Sequence, residues 1–417
     1  MKKILCLLPI IAVLPLSALE ITPAKKDHTY KTGEKIIFFI QLDKGRANTA
    51  FSVDVQGIRF TAAENKLVSD AGGKAVLSIT ASQPGVIRVL ISDNGKSAAA
   101  AVAVEKEAIR PAREMPENFH RYWKRSVKEL DLVPVQYEIN EISSEKKEFK
   151  TFDVKILMPG ENTPPLHAVL TMPQNAIPGR CAAMIVYHDS NIGKAMPVYY
   201  PGTLTLSVNP LPVKHNGSQG ETLHENGAFY NSYYQLTGNV EENFFQPMIK
   251  RACRAVQFMR DRMEWDGRTM IVRGTGLGGA QALAVAGLDQ KISMCAAVAP
   301  ALCNHGGFEN GSESGWPAFH RNAAAYQSDP DRISAMLDLI DICFFAANIR
   351  RAEVCIFTGF NDRKSPASSV FAAYNMIPSE KKIILTDFHS IDQIPEKIAA
   401  EMEKRIAEHI RRQQTFR

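Results

Sequence analysis

The sequence predicts an α/β chain in which a mostly parallel, doubly wound sheet is preceded by a small all-β sandwich. Three observations carry this. Met270 to Gly287 is an apolar strand that runs through a glycine-dense turn into an alanine-rich helix. Downstream, the apolar runs Val354 to Thr358 and Lys382 to Thr386 each lead to a polar turn, the first holding Asp362 and the second His389. Before residue 105 the pattern differs, with short strands alternating with glycine turns and no helical period between them.

Taken in order, Met1 to Ala18 has two lysines, an uncharged apolar run and the small pair Ser17-Ala18 before Leu19-Glu20. That is the pattern of a secretory signal peptide, too short to be kept as a membrane span. The mature chain is therefore expected to be exported, to the periplasm or outside the cell, with no membrane span. Cleavage would remove Lys2 and Lys3 and lower the net charge from +5 to +3. Such a balance points neither to nucleic acid nor to an anionic membrane surface. The remaining cysteines, Cys181, Cys253, Cys295, Cys303, Cys343 and Cys355, lie mostly inside apolar runs and read as buried thiols, with a Cys303 to Cys343 disulfide as the alternative. No Cys-x-x-Cys or histidine cluster suggests a metal, and no cofactor is expected.

Residues 19–105 contain the alternating runs Lys35 to Leu42, Ala50 to Val55 and Gly85 to Ser92, separated by Gly33, Gly57, Gly72-Gly73 and Asp93-Asn-Gly95. Strands of this length and spacing predict an immunoglobulin-like sandwich. It reads either as a glycan-positioning module or as a packing module, and the lack of an aromatic platform favours the second. Lys106 to Pro116 is a charged, proline-marked linker into a second domain, 106–417. There a helix over Glu117 to Leu130 should cover a sheet edge, and Thr151 to Leu157 and His167 to Met172 lead to a central strand, Ala182 to Tyr187. The turn His188 to Gly193 follows.

Ala195 to Asn243 is rich in Gly, Pro, Asn and Tyr and reads as a long insertion shaping a pocket rim or lid. Within it, Gly217-Ser218-Gln-Gly220 lacks a strand before and a helix after, so it reads as coincidence. A second insertion, Asn304 to Arg332, holds His305, Trp316, His320 and Tyr326, which suit either a sugar site or a solvated loop with anchoring rings. The last helix, Pro395 to Gln413, places Ile398, Met402, Ile406 and Ile410 on one packing stripe.

Two motifs compete for the central turn. As G-x-G-x-x-G, Gly274, Gly276 and Gly279 would bind a dinucleotide pyrophosphate at the helix N-terminus. That needs an acid about 20 residues on, at the end of the next strand, to hold the ribose. The next run ends Val298-Ala299-Pro300 and has none. As G-x-S-x-G, Gly274 and Gly278 flank a nucleophile elbow in which Gly276 stands where the serine belongs, and the order nucleophile, Asp362, His389 follows that of α/β hydrolases.

At this point the chain resembles the acetyl xylan esterase and cephalosporin C deacetylase group, carbohydrate esterase family 7 and its relatives. The resemblance rests on Val272 to Ala284 with Leu288-Asp289, and more on Thr358 to Asn375, which is similar to that family's acid loop; Pro116 to Trp123 and Arg254 to Met259 add support. It covers residues about 106 to 417. It implies an α/β-hydrolase fold, deacetylation of acetylated saccharides or other small esters by Ser-His-Asp chemistry, and self-association as a homo-oligomer. The triad positions would be Gly276, Asp362 and His389. The oxyanion donors would come from Leu277 and Ser190, and His188, Asp189 and Trp316 would line the substrate pocket.

Two positions depart from the family. Gly276 has no side chain and cannot form an acyl-enzyme, while Thr275 faces the other side of the strand end. Asp189 replaces a glycine of the family's His-Gly turn, and an anion opposes a developing oxyanion. The elbow should survive, because glycine takes positive φ at little cost. Three readings follow: an impaired carboxylic ester hydrolase in which His389 activates a water, a non-catalytic pseudoenzyme that binds acetylated glycan or a partner, and the disfavoured dinucleotide enzyme.

Overall fold

The computed structural model describes residues 19–62, 66–160, 163–189, 195–209, 236, 238–322, 324–386 and 394–415. The expected signal peptide, Ser190, the Gly217 to Gly220 stretch and His389 lie outside the described residues. The chain divides into two compact units that part between Val104 and Glu105.

The first unit is all-β. Its strands are β1 (Glu20–Pro23), β2 (Thr29–Tyr30), β3 (Lys35–Gln41), β4 (Ala50–Gly57), β5 (Phe60–Ala62), β6 (Lys66–Val68), β7 (Lys74–Ala81), β8 (Gly85–Asp93) and β9 (Lys96–Val104). They form two sheets, ordered β1-β3-β7-β5 and β2-β9-β8-β4-β6. Ile36, Phe38 and Ile40 of β3 meet Ile87, Val89 and Ile91 of β8 in one core that spans both sheets. The alanine run in β9 favours a helix by intrinsic propensity. It is held as a strand by its ladder to β8, where Ala98 lies opposite Ile91 and Ala100 opposite Val89.

The second unit is built on a nine-stranded sheet. Its strands are β10 (Tyr137–Ile142), β11 (Phe149–Ile156), β12 (Leu166–Pro173), β13 (Cys181–Tyr187), β14 (Thr203–Val208), β15 (Trp265–Thr275), β16 (Met294–Val298), β17 (Glu353–Gly359) and β18 (Lys381–Thr386). The order is β10-β11-β12-β14-β13-β15-β16-β17-β18, antiparallel up to the β12–β14 pair and parallel beyond it. The parallel strands read as apolar runs because both faces are covered. From β13, Met184 and Val186 join the stripe Ile398, Met402, Ile406 and Ile410 of the last helix. On the opposite face the Tyr187 hydroxyl donates to the Ala252 carbonyl at 2.8 Å.

Two expectations are corrected here, and the reading of the cysteines as buried thiols holds. Thr203 to Val208 lies inside the stretch read as an insertion, yet it is an interior strand between β12 and β13. Its alternating threonines, next to Pro201 and Gly202, gave too short an apolar signal. The helix expected over a sheet edge, α1 (Phe119–Asp131), instead packs on α2 (Phe245–Arg260) and α3 (Leu277–Leu288). Trp123 is the reason: it is fully buried, donates from Nε1 to the Leu339 carbonyl at 2.7 Å and meets Phe345 edge-on. Cys303 and Cys343 are buried free thiols, and the Cys303 Sγ lies 3.4 Å from the Ala301 carbonyl. No helix among the described residues is long and apolar enough to cross a membrane.

Candidate active site

The site grows from the junction of β15 and α3. Gly276 sits between them with φ 57° and ψ −119°, a conformation that strains any side-chain-bearing residue and that glycine reaches cheaply. Its N–H donates to the Val298 carbonyl at 2.9 Å, and its own carbonyl accepts from Ala280 at 3.1 Å and Ala301 at 3.0 Å. The flanking glycines answer to space. A Cβ on Gly274 would lie 2.3 Å from the Gly278 carbonyl carbon, and one on Gly278 would lie 2.0 Å from the Tyr187 carbonyl oxygen. Helix and strands cross with backbone against backbone. Every residue from Leu277 to Gly287 is buried, as expected of a helix apolar all round.

Asp189, two residues past β13, occupies the open side of the turn. Its carboxylate accepts the Leu277 N–H at 3.0 Å in a buried contact. A Cβ added to Gly276 would lie 2.7 Å from the Asp189 carboxyl carbon and 2.8 and 2.9 Å from its two oxygens. Real Cβ atoms do not come this close, so a side chain at 276 would require the Asp189 carboxylate to move. The carboxylate therefore fills the volume that a side chain at position 276 needs, and it uses the first helical amide as its donor. An anion at a helix N-terminus is favourable in itself. The two departures read from the sequence are thus one physical arrangement.

His188 faces elsewhere. Its Nε2 lies 2.7 Å from Ser207 Oγ on the neighbouring strand. Burial, reinforced by the Arg273 guanidinium, brings its pKa down to about 4, so the ring is neutral at physiological pH. Arg273 is itself held by Glu403 at 2.6 Å.

Asp362 follows β17, is fully buried, and accepts the N–H groups of Lys364 at 2.8 Å and Ser365 at 3.0 Å through one oxygen. Two backbone donors fix the orientation of this carboxylate. Its loop is tied to the rest of the site through the backbone. The Trp316 N–H donates to the Lys364 carbonyl at 2.8 Å, the Leu302 N–H to the Trp316 carbonyl at 2.9 Å, and the Ala301 N–H to Gly276. The turn at Gly276, the loop of Asp362 and the loop of Trp316 form one hydrogen-bonded frame, which brings Gly276, Leu277, Asp189, Asp362 and Trp316 to one end of the sheet. Ser190 and His389 lie outside the described residues.

Sequence reasoning missed Asp341. Its carboxylate accepts the N–H groups of Asn304 at 2.9 Å, His305 at 2.7 Å and Cys343 at 2.9 Å. That holds a loop in which Ala299, Leu302 and Asn304 all take positive φ. An aspartate before an apolar helical turn is a sequence signal for an N-cap, but its second task needs the fold. The same loop buries His305 against the Phe319 ring, and neither ring nitrogen is hydrogen-bonded among the described residues.

Burial lowers the His305 pKa to about 4, with Asp341 only partly opposing it. The unfolded chain then takes up this proton near pH 6.5 and the folded one only near 4. Stability is full above about pH 6.5 and is lost as pH falls towards 4, by on the order of 3 kcal/mol for this group. We expect thermal midpoints to drop from pH 7 to 4.5. His305→Phe, which keeps the ring packing, should flatten that drop, and an unchanged pH profile in this variant would refute the assignment.

Comparison with known proteins decides the family. The acetyl xylan esterase family profile matches residues 101–409. The chain belongs to the acetyl xylan esterase family. It is 24% identical to the acetyl esterase Axe7A of Xylanibacter ruminicola over 378 residues, covering 87% of this chain and 84% of that protein. The acetyl xylan esterase from Paenibacillus sp. R4 aligns with a TM-score of 0.59 at 20% identity, over 73% of this chain and 98% of that one. Acetyl xylan esterase 1 from Thermoanaerobacterium sp. JW/SL YS485 aligns with a TM-score of 0.58 at 18% identity, over 73% and 97%. These likenesses establish an α/β-hydrolase fold. Within the acetyl xylan esterase family, the turn of this chain carries glycine at 276 beside a buried carboxylate.

Proposed function

We propose that this chain is an exported member of the acetyl xylan esterase family whose serine chemistry is lost, leaving a pocket that binds acetylated saccharide with little or no turnover. Gly276 takes the nucleophile's place, and Asp362 and His389 are what remains of the triad. Met1 to Ala18 serves as the signal peptide and the two-sheet unit as an immunoglobulin-like packing module. One observation carries the reading: the Asp189 carboxylate stands in the seat of a side chain at 276 and holds the Leu277 amide. In an acyl-transfer enzyme that amide must stay free for the developing oxyanion. Here the protein supplies its own carboxylate where a released acetate would sit.

A second reading is favoured by the buried, amide-bonded Asp362, which is what a histidine-orienting acid needs. In it, His389 activates a water and slow hydrolysis persists. Sites lacking one triad member retain about 10³ to 10⁴ over the uncatalysed rate.

The experiment is hydrolysis of a small acetyl ester by the purified mature chain beside His389→Ala, with calorimetric titration of an acetylated xylo-oligosaccharide. We expect no turnover that depends on His389, together with measurable binding. A natural protein turning over near 10 s⁻¹, an ordinary enzyme rate, would end the proposal. Slow turnover abolished by His389→Ala would establish the second reading.

A further inference from the structure

Arg251 on α2 is a buried guanidinium that forms no ion pair with any of the described residues. It is 7% exposed, and its Nε is enclosed without a hydrogen-bond partner among the described residues. Arg254, one turn along the same helix, also encloses its Nε without a partner, but its Nη end is held. Its Nη atoms donate to the carbonyls of Leu130 at 3.2 Å, Val133 at 2.9 Å and Pro134 at 2.7 Å. Buried charges are normally paired in this way, and a buried unpaired polar group calls for a missing partner.

Arg251 also lines a cleft of about 240 Å³ together with Thr163, Gln246, Lys250, Glu129 and Glu241. The two glutamates do not serve it. Glu129 lies 3.3 Å from Lys250 and 3.7 Å from Arg125, and Glu241 lies 3.0 Å from Arg125. Consistent with that, burial alone acts on Arg251, bringing its pKa down to about 10 with no acid opposing the change. The cleft is smaller than the roughly 300–1,000 Å³ of pockets for drug-sized ligands. Its occupant is therefore small.

We propose that this cleft is a binding site for a small carboxylate, seated on the Arg251 guanidinium. The planar fork of arginine donors matches a carboxylate in a two-point contact. Thr163, Gln246 and Lys250 add polar groups that suit neighbouring hydroxyls. Two sources share this chemistry, a sugar acid and a released short acyl acid. The inference is independent of the chemistry at the elbow, since it uses no residue of that site.

The test is calorimetric titration of the mature two-unit chain with glucuronate, acetate and inorganic phosphate, with glucose as the neutral control. We expect one saturable site for a carboxylate, none for glucose, and at least a tenfold loss of affinity in Arg251→Gln. Preference for glucuronate identifies a sugar acid as the source, and preference for acetate identifies the acyl acid. Arg251→Met, which fills the same space without a charge, is the second variant if Arg251→Gln does not fold. It should be at least as stable as the natural chain while failing to bind, because a buried charge without a partner is destabilising. Absence of binding, selective binding of phosphate, or binding unchanged in both variants would overturn the proposal.

Discussion

Gly276→Ser alone will leave acetyl ester hydrolysis where the natural chain has it, while Gly276→Ser combined with Asp189→Gly will raise it by about 10³-fold. The geometry is the reason. A serine Cβ at 276 would lie under 3 Å from all three carboxyl atoms of Asp189, so the single change forces either the hydroxyl or the carboxylate out of place. Where the carboxylate keeps its place, the Leu277 amide stays occupied. Loss of a nucleophile costs about 10⁶ in kcat, and loss of one oxyanion donor about 10² to 10³. Restoring the first with a hole rebuilt by a glycine at 189 recovers on the order of 10³ of that deficit.

The measurement is a double-mutant cycle on hydrolysis of a small acetyl ester, with His389→Ala in the double-variant background. Strong positive coupling between the two substitutions is the expected result. If Gly276→Ser alone were as active as the double variant, Asp189 would not obstruct the turn. If the double variant's gain survived His389→Ala, the hydrolysis would not be triad chemistry.

The second large effect is on stability. Gly278→Ala should destabilise the second unit by more than about 3 kcal/mol, beyond ordinary overpacking. The added Cβ would meet the Tyr187 carbonyl oxygen at 2.0 Å, its carbon at 2.5 Å and the His188 nitrogen at 3.0 Å, all of them backbone at the end of the central strand. No side chain can rotate away to relieve that. Gly267→Ala is the control: its φ is +79°, but nothing lies within 4 Å. It should cost only about 1 kcal/mol of backbone strain. Urea unfolding followed by tryptophan fluorescence separates the two, because all three tryptophans lie in the second unit. Equal midpoints for the two variants would show that α3 can move off β13.

Much of the fold was legible in the chain itself. Runs such as Ala182 to Tyr187 and Val354 to Thr358 are apolar without alternation because they are covered on both faces, and that state is written residue by residue. The stripe on the last helix, the glycine-dense turn and the polar turn holding Asp362 were readable for the same reason. β14 was less so, since its pairing with both β12 and β13 depends on chain segments far away.

What the sequence determined by itself was the order of elements, the family resemblance, and the two departures at 276 and 189 as separate facts. Tertiary structure decided that they are one fact. Leu277 and Asp189 are 88 positions apart, and their contact depends on β13 and β15 being parallel neighbours, so that the ends of both strands open onto the same edge of the sheet. Arg251 and Arg254 look alike on one helix, yet only the fold placed three carbonyls before one of them and an open cleft before the other. Local periodicity reports which face of an element is buried. It does not report which groups meet there, because those meetings are set by how distant segments pack.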